Sequence, residues 1–343
     1  MNEVRLVLVG FGNVGRAFAR LLQRKSKLLA SEYGMEWKIT GIATGRHGMA
    51  IDPQGLDVDR AVALVESGMN LDVLNKGETP ADMLGFIQAC PGDILFENSP
   101  VNYDTGQPAI SHLQAALEKG MHAVTANKGP VVHAFNDLTQ LARKMGKQFR
   151  FESTVMDGAP IFSLHRSTLP GAELLGFTGI LNSCTNLLLE RMESGETLDE
   201  AVKYGASIGI TETDPSGDID GWDASIKVAA LSTVLMGIPL KPQDVEREGI
   251  RSITPAMLAE AKQAGERWKL VCRARRTAGG IQASVKPERV SSGSPLYSVS
   301  GTSSFVVFET DVLPGLGVLE SDPGPETTAF GLLADMLNIY QPR

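Results

Sequence analysis

Histidine and cysteine are both scarce in this chain, five and three among 343 residues. The five histidines are scattered and none forms an H-x-x-x-H pair, so a transition-metal site is not expected. Cys90, Cys184 and Cys272 are odd in number and far apart. That excludes a disulfide framework and zinc-ligand spacing, and it points to a reducing compartment, the cytoplasm. No stretch approaches 18 unbroken apolar residues, so no membrane-spanning helix is expected. The chain enters an apolar strand-like run by Val4, which leaves no room for a secretory leader. Basic excess is missing as well: 32 Lys and Arg face 40 Asp and Glu, a net charge of −8. Nucleic acid and anionic membranes are therefore poor partners. There is no internal repeat and no low-complexity tract. What remains is a chain long enough for two domains with cores of their own and 43% hydrophobic.

The N-terminus carries the first positive signal. Residues 4–9, VRLVLV, form a short apolar run, and GFGNVG follows at once. Residues 16–22, RAFARLL, then place apolar side chains at helical spacing. Strand, glycine turn and helix are the context in which G-x-G-x-x-G binds a dinucleotide. Gly10 permits the tight turn, Gly12 lets the backbone approach a pyrophosphate, and Gly15 lets helix and strand pack closely. Phe11, Asn13 and Val14 share this turn, and the helix N-terminus favours the negative charge.

A second strand is predicted over residues 37–44. In NAD-preferring folds an acidic residue at its end takes the ribose hydroxyls. Here the strand ends in Thr44-Gly45-Arg46-His47. Thr44 and Arg46 suit a 2′-phosphate, so NADP is expected over NAD. Strand and helix continue to alternate through residue 150. Loops at the carboxyl ends of such parallel strands bind ligands. Asn98 and Ser99 follow the strand over 93–97, and Lys128 follows the strand over 122–125.

Residues 205–227, GASIGITETDPSGDIDGWDASIK, concentrate one Glu, four Asp and a Lys. Asp223 and Lys227 are four apart and share one face of a helix, with Gly221 offering a turn just ahead. Carboxylates beside an ammonium can grip a small zwitterion and move a proton. A solvated loop followed by a surface ion pair would leave the same pattern.

Six segments in order resemble the homoserine dehydrogenase family and span nearly the whole chain. They are GFGNVG, TANKGP around Lys128, FESTVMDGAPI from Phe151, GILNSCTNLLL from Gly179, TETDPSGDIDGWDASIK from Thr211 and SPLYSVSGTSSFVVFETD from Ser294. The resemblance implies NAD(P)-dependent interconversion of L-homoserine and L-aspartate 4-semialdehyde, on the route to threonine and methionine. It gives Lys227 the acid/base role, assisted by Lys128. It gives Glu212 the substrate amino group, and it makes Asp218 and Asp223 the carboxylates that orient substrate and Lys227. It returns Gly324 to the cofactor, and it places a monovalent cation, Na+, at Glu152, Val155, Asp157 and Ala159. It also implies a homodimer. Where the family reads Gly-Gly-Ile-Pro and Asn-Gly-Thr-Thr-Asn, this chain has Asp157-Gly158-Ala159-Pro160 and Asn182-Ser183-Cys184-Thr185-Asn186.

The expected fold class is α/β: a Rossmann-type doubly wound parallel sheet plus an α+β catalytic and dimerisation domain with an open mixed sheet. Residues 1–150 form the nucleotide domain, 151–310 the substrate and dimerisation domain, and 311–343 return to the first domain. Length argues for a short form without a C-terminal regulatory domain. Residues 291–295 read as the loosest loop. Two other readings stay open on the residues alone. One is another Rossmann dehydrogenase of an amino-acid-derived aldehyde or hydroxy acid. The other is a non-catalytic NADPH-binding sensor.

Overall fold

The computed structural model describes residues 2–211 and 214–340 and divides into two units, Met1–Pro160 with Gly324–Arg343, and Ile161–Pro323. Six strands build the first sheet: β1 (Asn2–Val9), β2 (Met35–Ala43), β3 (Met49–Ile51), β4 (Ile94–Glu97), β5 (His122–Thr125) and β6 (Phe149–Arg150). Their order is β3-β2-β1-β4-β5-β6, parallel throughout except for β3, which pairs antiparallel with β2. This is the doubly wound order with its switch point between β1 and β4.

The local reasons are plain. Leu6, Val7, Leu8 and Val9 are all buried, as expected of a central strand covered on both faces. The first helix, Asn13–Tyr33, buries Phe18, Ala19, Leu21, Leu22 and Leu29 on the sheet. The Phe18 ring centroid lies 4.5 Å from that of Phe96 on β4. The helix stops at Gly34, whose left-handed backbone (φ 59°) closes its C-terminus. The last helix, Pro325–Tyr340, adds Ala329, Leu332, Leu333, Met336 and Ile339 to the same core.

The boundaries differ from those expected at 150 and 310. The first unit runs on to Pro160 because residues 152–157 are fastened to the last helix. The Glu152 amide donates to Asp335 (2.7 Å), the Ser153 hydroxyl to the Thr328 carbonyl (2.7 Å), and the Thr328 hydroxyl to Asp157 (2.6 Å). Residues 311–323 stay with the second unit, because they contain an edge strand of its sheet.

That second sheet is mixed. It comprises β7 (Leu174–Ile180), β8 (Glu246–Arg247), β9 (Glu266–Thr277), β10 (Gly280–Ser291), β11 (Ser304–Thr310) and β12 (Leu316–Glu320), in the order β12-β11-β7-β9-β10-β8. Alternation sorts its faces. Phe177, Ala274 and Phe308 are buried on one side, where His165 of the helix Ile161–Thr168 packs edge-on against Phe308. Thr178, Arg273, Arg275 and Glu309 point the other way, with Arg273 paired to Glu288 and Arg275 to Glu309. β9 and β10 are the two arms of one hairpin, twelve residues each. Strands β3, β8 and β12, two to five residues long, gave no signal, since each is defined by its pairing with another strand.

The far end of the loop after β10 is tied down at Val299 and Gly301. Lys269, 1% exposed, donates to the Asn186 side-chain oxygen (2.8 Å) and to the Val299 carbonyl (2.5 Å). Asn186 in turn donates to the Gly301 carbonyl (2.9 Å). Burial pushes the Lys269 ammonium down to about 8.

Candidate active site

At the switch point the glycine turn meets the end of β4. Gly10 has φ +92°, and a Cβ there would lie 2.5 Å from the carbonyl carbon and oxygen of Asn98. A Cβ on Gly15 would lie 2.6 Å from the Gly10 carbonyl oxygen. Both glycines are therefore demanded by the protein's own backbone. Gly12 is different: nothing lies within 4 Å of where its Cβ would be. It precedes the first helix as a cap with no side chain, and no side-chain hydrogen bond caps that N-terminus among the described residues. Arg16 braces the turn by donating to the Phe11 carbonyl (3.0 Å) and to Asn13 (2.9 Å).

One buried carboxylate ties the Ser99 loop to its neighbours at the strand ends. Glu97, fully buried at the end of β4, accepts from the Ser99 hydroxyl and from the Ser99 amide (3.2 Å). Thr125 of β5 donates to it (3.3 Å), and the His112 ring nitrogen lies at 3.4 Å. Asn127 bridges back to the carbonyls of Ser99 and Pro100 (3.0 and 3.2 Å) and caps the short helix that begins at Lys128. Asn98 has no partner for either amide atom among the described residues, although both are buried. Thr44 spends its hydroxyl on its own loop, accepting from the His47 amide (2.7 Å) and donating to the Gly48 carbonyl (3.2 Å), while Arg46 is exposed.

Gly324 opens the last helix. Its amide donates to Thr327 and its carbonyl accepts from Thr328, so its visible role is in that turn. Glu152, Val155, Asp157 and Ala159 share one tight segment, in which Met156 and Asp157 both have positive φ. Asp157 accepts from Thr328 there.

In the second unit Gly221, with φ +79°, starts the helix Trp222–Leu235. Asp223 and Lys227 lie on one face of it, Nζ to Oδ2 3.0 Å, with side chains only 14% and 15% exposed. The Lys227 ammonium also donates to the Leu181 carbonyl (2.6 Å). Asp218 joins them through Asn182, whose amide nitrogen lies 2.6 Å from Asp218 and 3.0 Å from Asp223. Burial, then the charge of Asp223, raises the Asp218 carboxyl above its ordinary value; Asn182, Lys227 and the Cys184 thiol oppose the rise. The Cys184 thiol is itself pushed up by burial and by Asp218. This is a nearly dry cluster of two acids and an amine, not a solvated face. Glu212 lies outside the described residues.

Family profiles match both units: "Homoserine dehydrogenase, NAD binding domain" over residues 10–152 and "Homoserine dehydrogenase" over residues 160–337. An NAD(+)-dependent homoserine dehydrogenase of Pseudomonas canavaninivorans is 36% identical over 99% of this chain and 97% of its own. The chain belongs to the homoserine dehydrogenase family. A second relative, from Methanocaldococcus jannaschii, is also 36% identical, over 98% of both chains. The crystal structure of a hyperthermophilic archaeal homoserine dehydrogenase in complex with NADPH superposes with TM-score 0.82 at 29% identity, covering 98% of each chain. As a homoserine dehydrogenase, the chain is an NAD(P)-dependent oxidoreductase acting on a CH–OH group and interconverting L-homoserine and L-aspartate 4-semialdehyde.

The residues present fit a dinucleotide. Gly10 and Gly15 shape the turn, uncapped N–H groups stand at Gly12, and the Asn98 amide is buried and unpartnered. Sequence reasoning passed over two residues that matter to these arrangements. Glu97 carried a signal as an acid closing an apolar strand. Asn182 carried one as a helix-capping residue directly after a strand. The Leu181 carbonyl had none, since backbone positions are not written in side chains.

Proposed function

We propose that Lys227 handles the proton of the reaction. The observation that carries this reading is its position, 3.0 Å from Asp223 and 2.6 Å from the Leu181 carbonyl, largely shielded from water. As an ammonium it polarises the aldehyde oxygen and gives it a proton in the reducing direction. In the oxidising direction the neutral amine takes the hydroxyl proton. Asp218 and Asp223 orient the substrate and Lys227, and Glu212 binds the substrate's ammonium group. Lys128, at the start of its helix, assists in the proton transfer. The bound nicotinamide supplies or accepts the hydride.

Gly10, Phe11, Gly12, Asn13, Val14 and Gly15 hold the pyrophosphate, with Asn98, Ser99 and Gly324 completing the coenzyme's surroundings. NADP is the preferred coenzyme. Support comes from the absence of an acid at the end of β2 and from the exposed Arg46 guanidinium, free of the loop's own bonding among the described residues. The Thr44 hydroxyl, by contrast, shapes the loop. A sodium ion takes the Glu152 carboxylate with the carbonyls of Val155, Asp157 and Ala159. Two copies pair through the outward face of the second sheet, which carries Thr178 and the pairs Arg273–Glu288 and Arg275–Glu309. The enzyme works in the cytoplasm.

The test is absorbance at the nicotinamide band with L-homoserine and either NADP+ or NAD+. Reduction of NADP+ at a higher kcat/KM is expected. No reduction of either coenzyme would overturn the catalytic reading, and faster NAD+ reduction would overturn the preference. Sedimentation of the intact chain at the monomer mass would remove the dimer.

A further inference from the structure

We propose that Asn182 is a positioning residue for the reaction: its single amide bridges Asp218 and Asp223 and holds the two carboxylates together at Lys227. The inference rests on the proton-handling reading above.

Asn182 is 3% exposed and stands between the end of β7 and the helix Ser183–Glu193. Its side-chain oxygen accepts from the Thr185 amide and the Thr185 hydroxyl, both at 2.8 Å. The oxygen is thus committed to capping the helix, so the amide cannot flip without losing the cap. That leaves the NH2 group facing the acids, at 2.6 Å from Asp218 and 3.0 Å from Asp223. Two carboxylates this close repel each other when both are ionised. An NH2 group with one proton for each is the neutral group that relieves this without adding a charge to compete with Lys227. The backbone next to it contributes too, because the neighbouring Leu181 carbonyl is the second anchor of the Lys227 ammonium. One short segment therefore sets all three groups.

Among the described residues, the groups facing Asp218 are Asp223 and Lys227 from the long helix, and Asn182 and Cys184 from the start of Ser183–Glu193. Cys272 of β9 is close enough to feel both Asp223 and Lys227. Removing the donors of Asn182 takes away one of the influences that hold the Asp218 carboxyl down, so its titration moves further up.

Ser and Asp cap helices about as well as Asn, so Asn182→Ser and Asn182→Asp separate capping from donation. In the full chain, Asn182→Ser should leave the NADPH dissociation constant unchanged and lower the melting temperature only modestly, since the helix cap is kept while the buried acids lose their donors. Its kcat for homoserine oxidation should fall about tenfold or more, and the acid limb of its kcat–pH profile should move up by about one unit. Asn182→Asp, nearly isosteric, adds a third carboxylate and should move the limb further; it serves as the second variant if the serine protein does not fold. In an Asp218→Asn background the serine substitution should shift the limb less, because the partner has gone. A folded Asn182→Ser enzyme with kcat and pH profile within twofold of the parent overturns the proposal. Lys227→Ala is assayed alongside: retained turnover there removes the proton-handling reading itself, whereas an inactive Lys227→Ala beside an unchanged Asn182→Ser removes Asn182 alone.

Discussion

At Gly10 a Cβ would strike the Asn98 backbone, while at Asn182 every polar atom of the side chain is in use. The two units thus prepare for their ligands by opposite means. The first clears side chains away and offers uncapped N–H groups at a helix start. Such a surface suits a phosphate chain, which is recognised by its charge and shape. The second packs two acids, an amide and an amine into a nearly dry cluster. Such a cluster suits a reaction in which one proton must go to one atom. Errors are tolerated differently as well. A lost glycine costs space, whereas a lost member of the cluster leaves an unbalanced charge behind.

If the division of labour holds, the largest effect should come from Lys227→Ala. Turnover should fall roughly 10²-fold or more while NADPH binding, followed by nicotinamide fluorescence, stays unchanged. In the parent, homoserine oxidation should rise toward alkaline pH, because the base must be neutral to take the proton. A profile rising toward acid would break the assignment.

The two glycines sharpen the comparison within the first unit. Gly10→Ala combines a left-handed backbone with a collision and should lose at least ~1–2 kcal/mol of stability in chemical denaturation. Gly12→Ala has an ordinary backbone (φ −73°) and free space, so its stability should match the parent, yet coenzyme affinity should drop by about tenfold or more. Equal stability losses in both variants would mean that Gly12 is merely structural.

An effect of similar size, seen only above pH 8, is expected from the buried amine that the second unit uses for structure. Lys269 releases its proton near pH 8 in the folded chain and near 10.5 in the unfolded one. Between those values the unfolded chain binds more protons, so stability should rise with pH, by on the order of 1–3 kcal/mol in all. Lys269→Met should abolish that rise, measured as the pH dependence of the denaturation midpoint. The smallest effect should be that of Arg46→Ala, a loss of about tenfold in NADPH affinity at low salt with NADH affinity unchanged.

Much of this was legible before any coordinates. The glycine spacing after an apolar run predicts β1, its turn and the first helix, because local backbone conformation and hydrophobic period are written along the chain. The pair Asp223 and Lys227 was legible for the same reason, being one helical turn apart. The short strands β3, β8 and β12 were not, and neither was the extension of the first unit to Pro160. These depend on pairing with residues distant in sequence, such as Thr328 and Asp335 for the segment after β6.

Residue types and spacing by themselves determined the two ligand chemistries of this protein, a dinucleotide turn and an acid–amine pair, since both reside in short stretches of chain. Only the tertiary structure decided that the pair is sheltered from water, that Asn182 ties Asp218 to Asp223, and that Glu97 gathers the Ser99 loop and Thr125. Burial and hydrogen-bond geometry are properties of residues brought together across tens of positions. No local pattern encodes which face of an element will be covered, or by what.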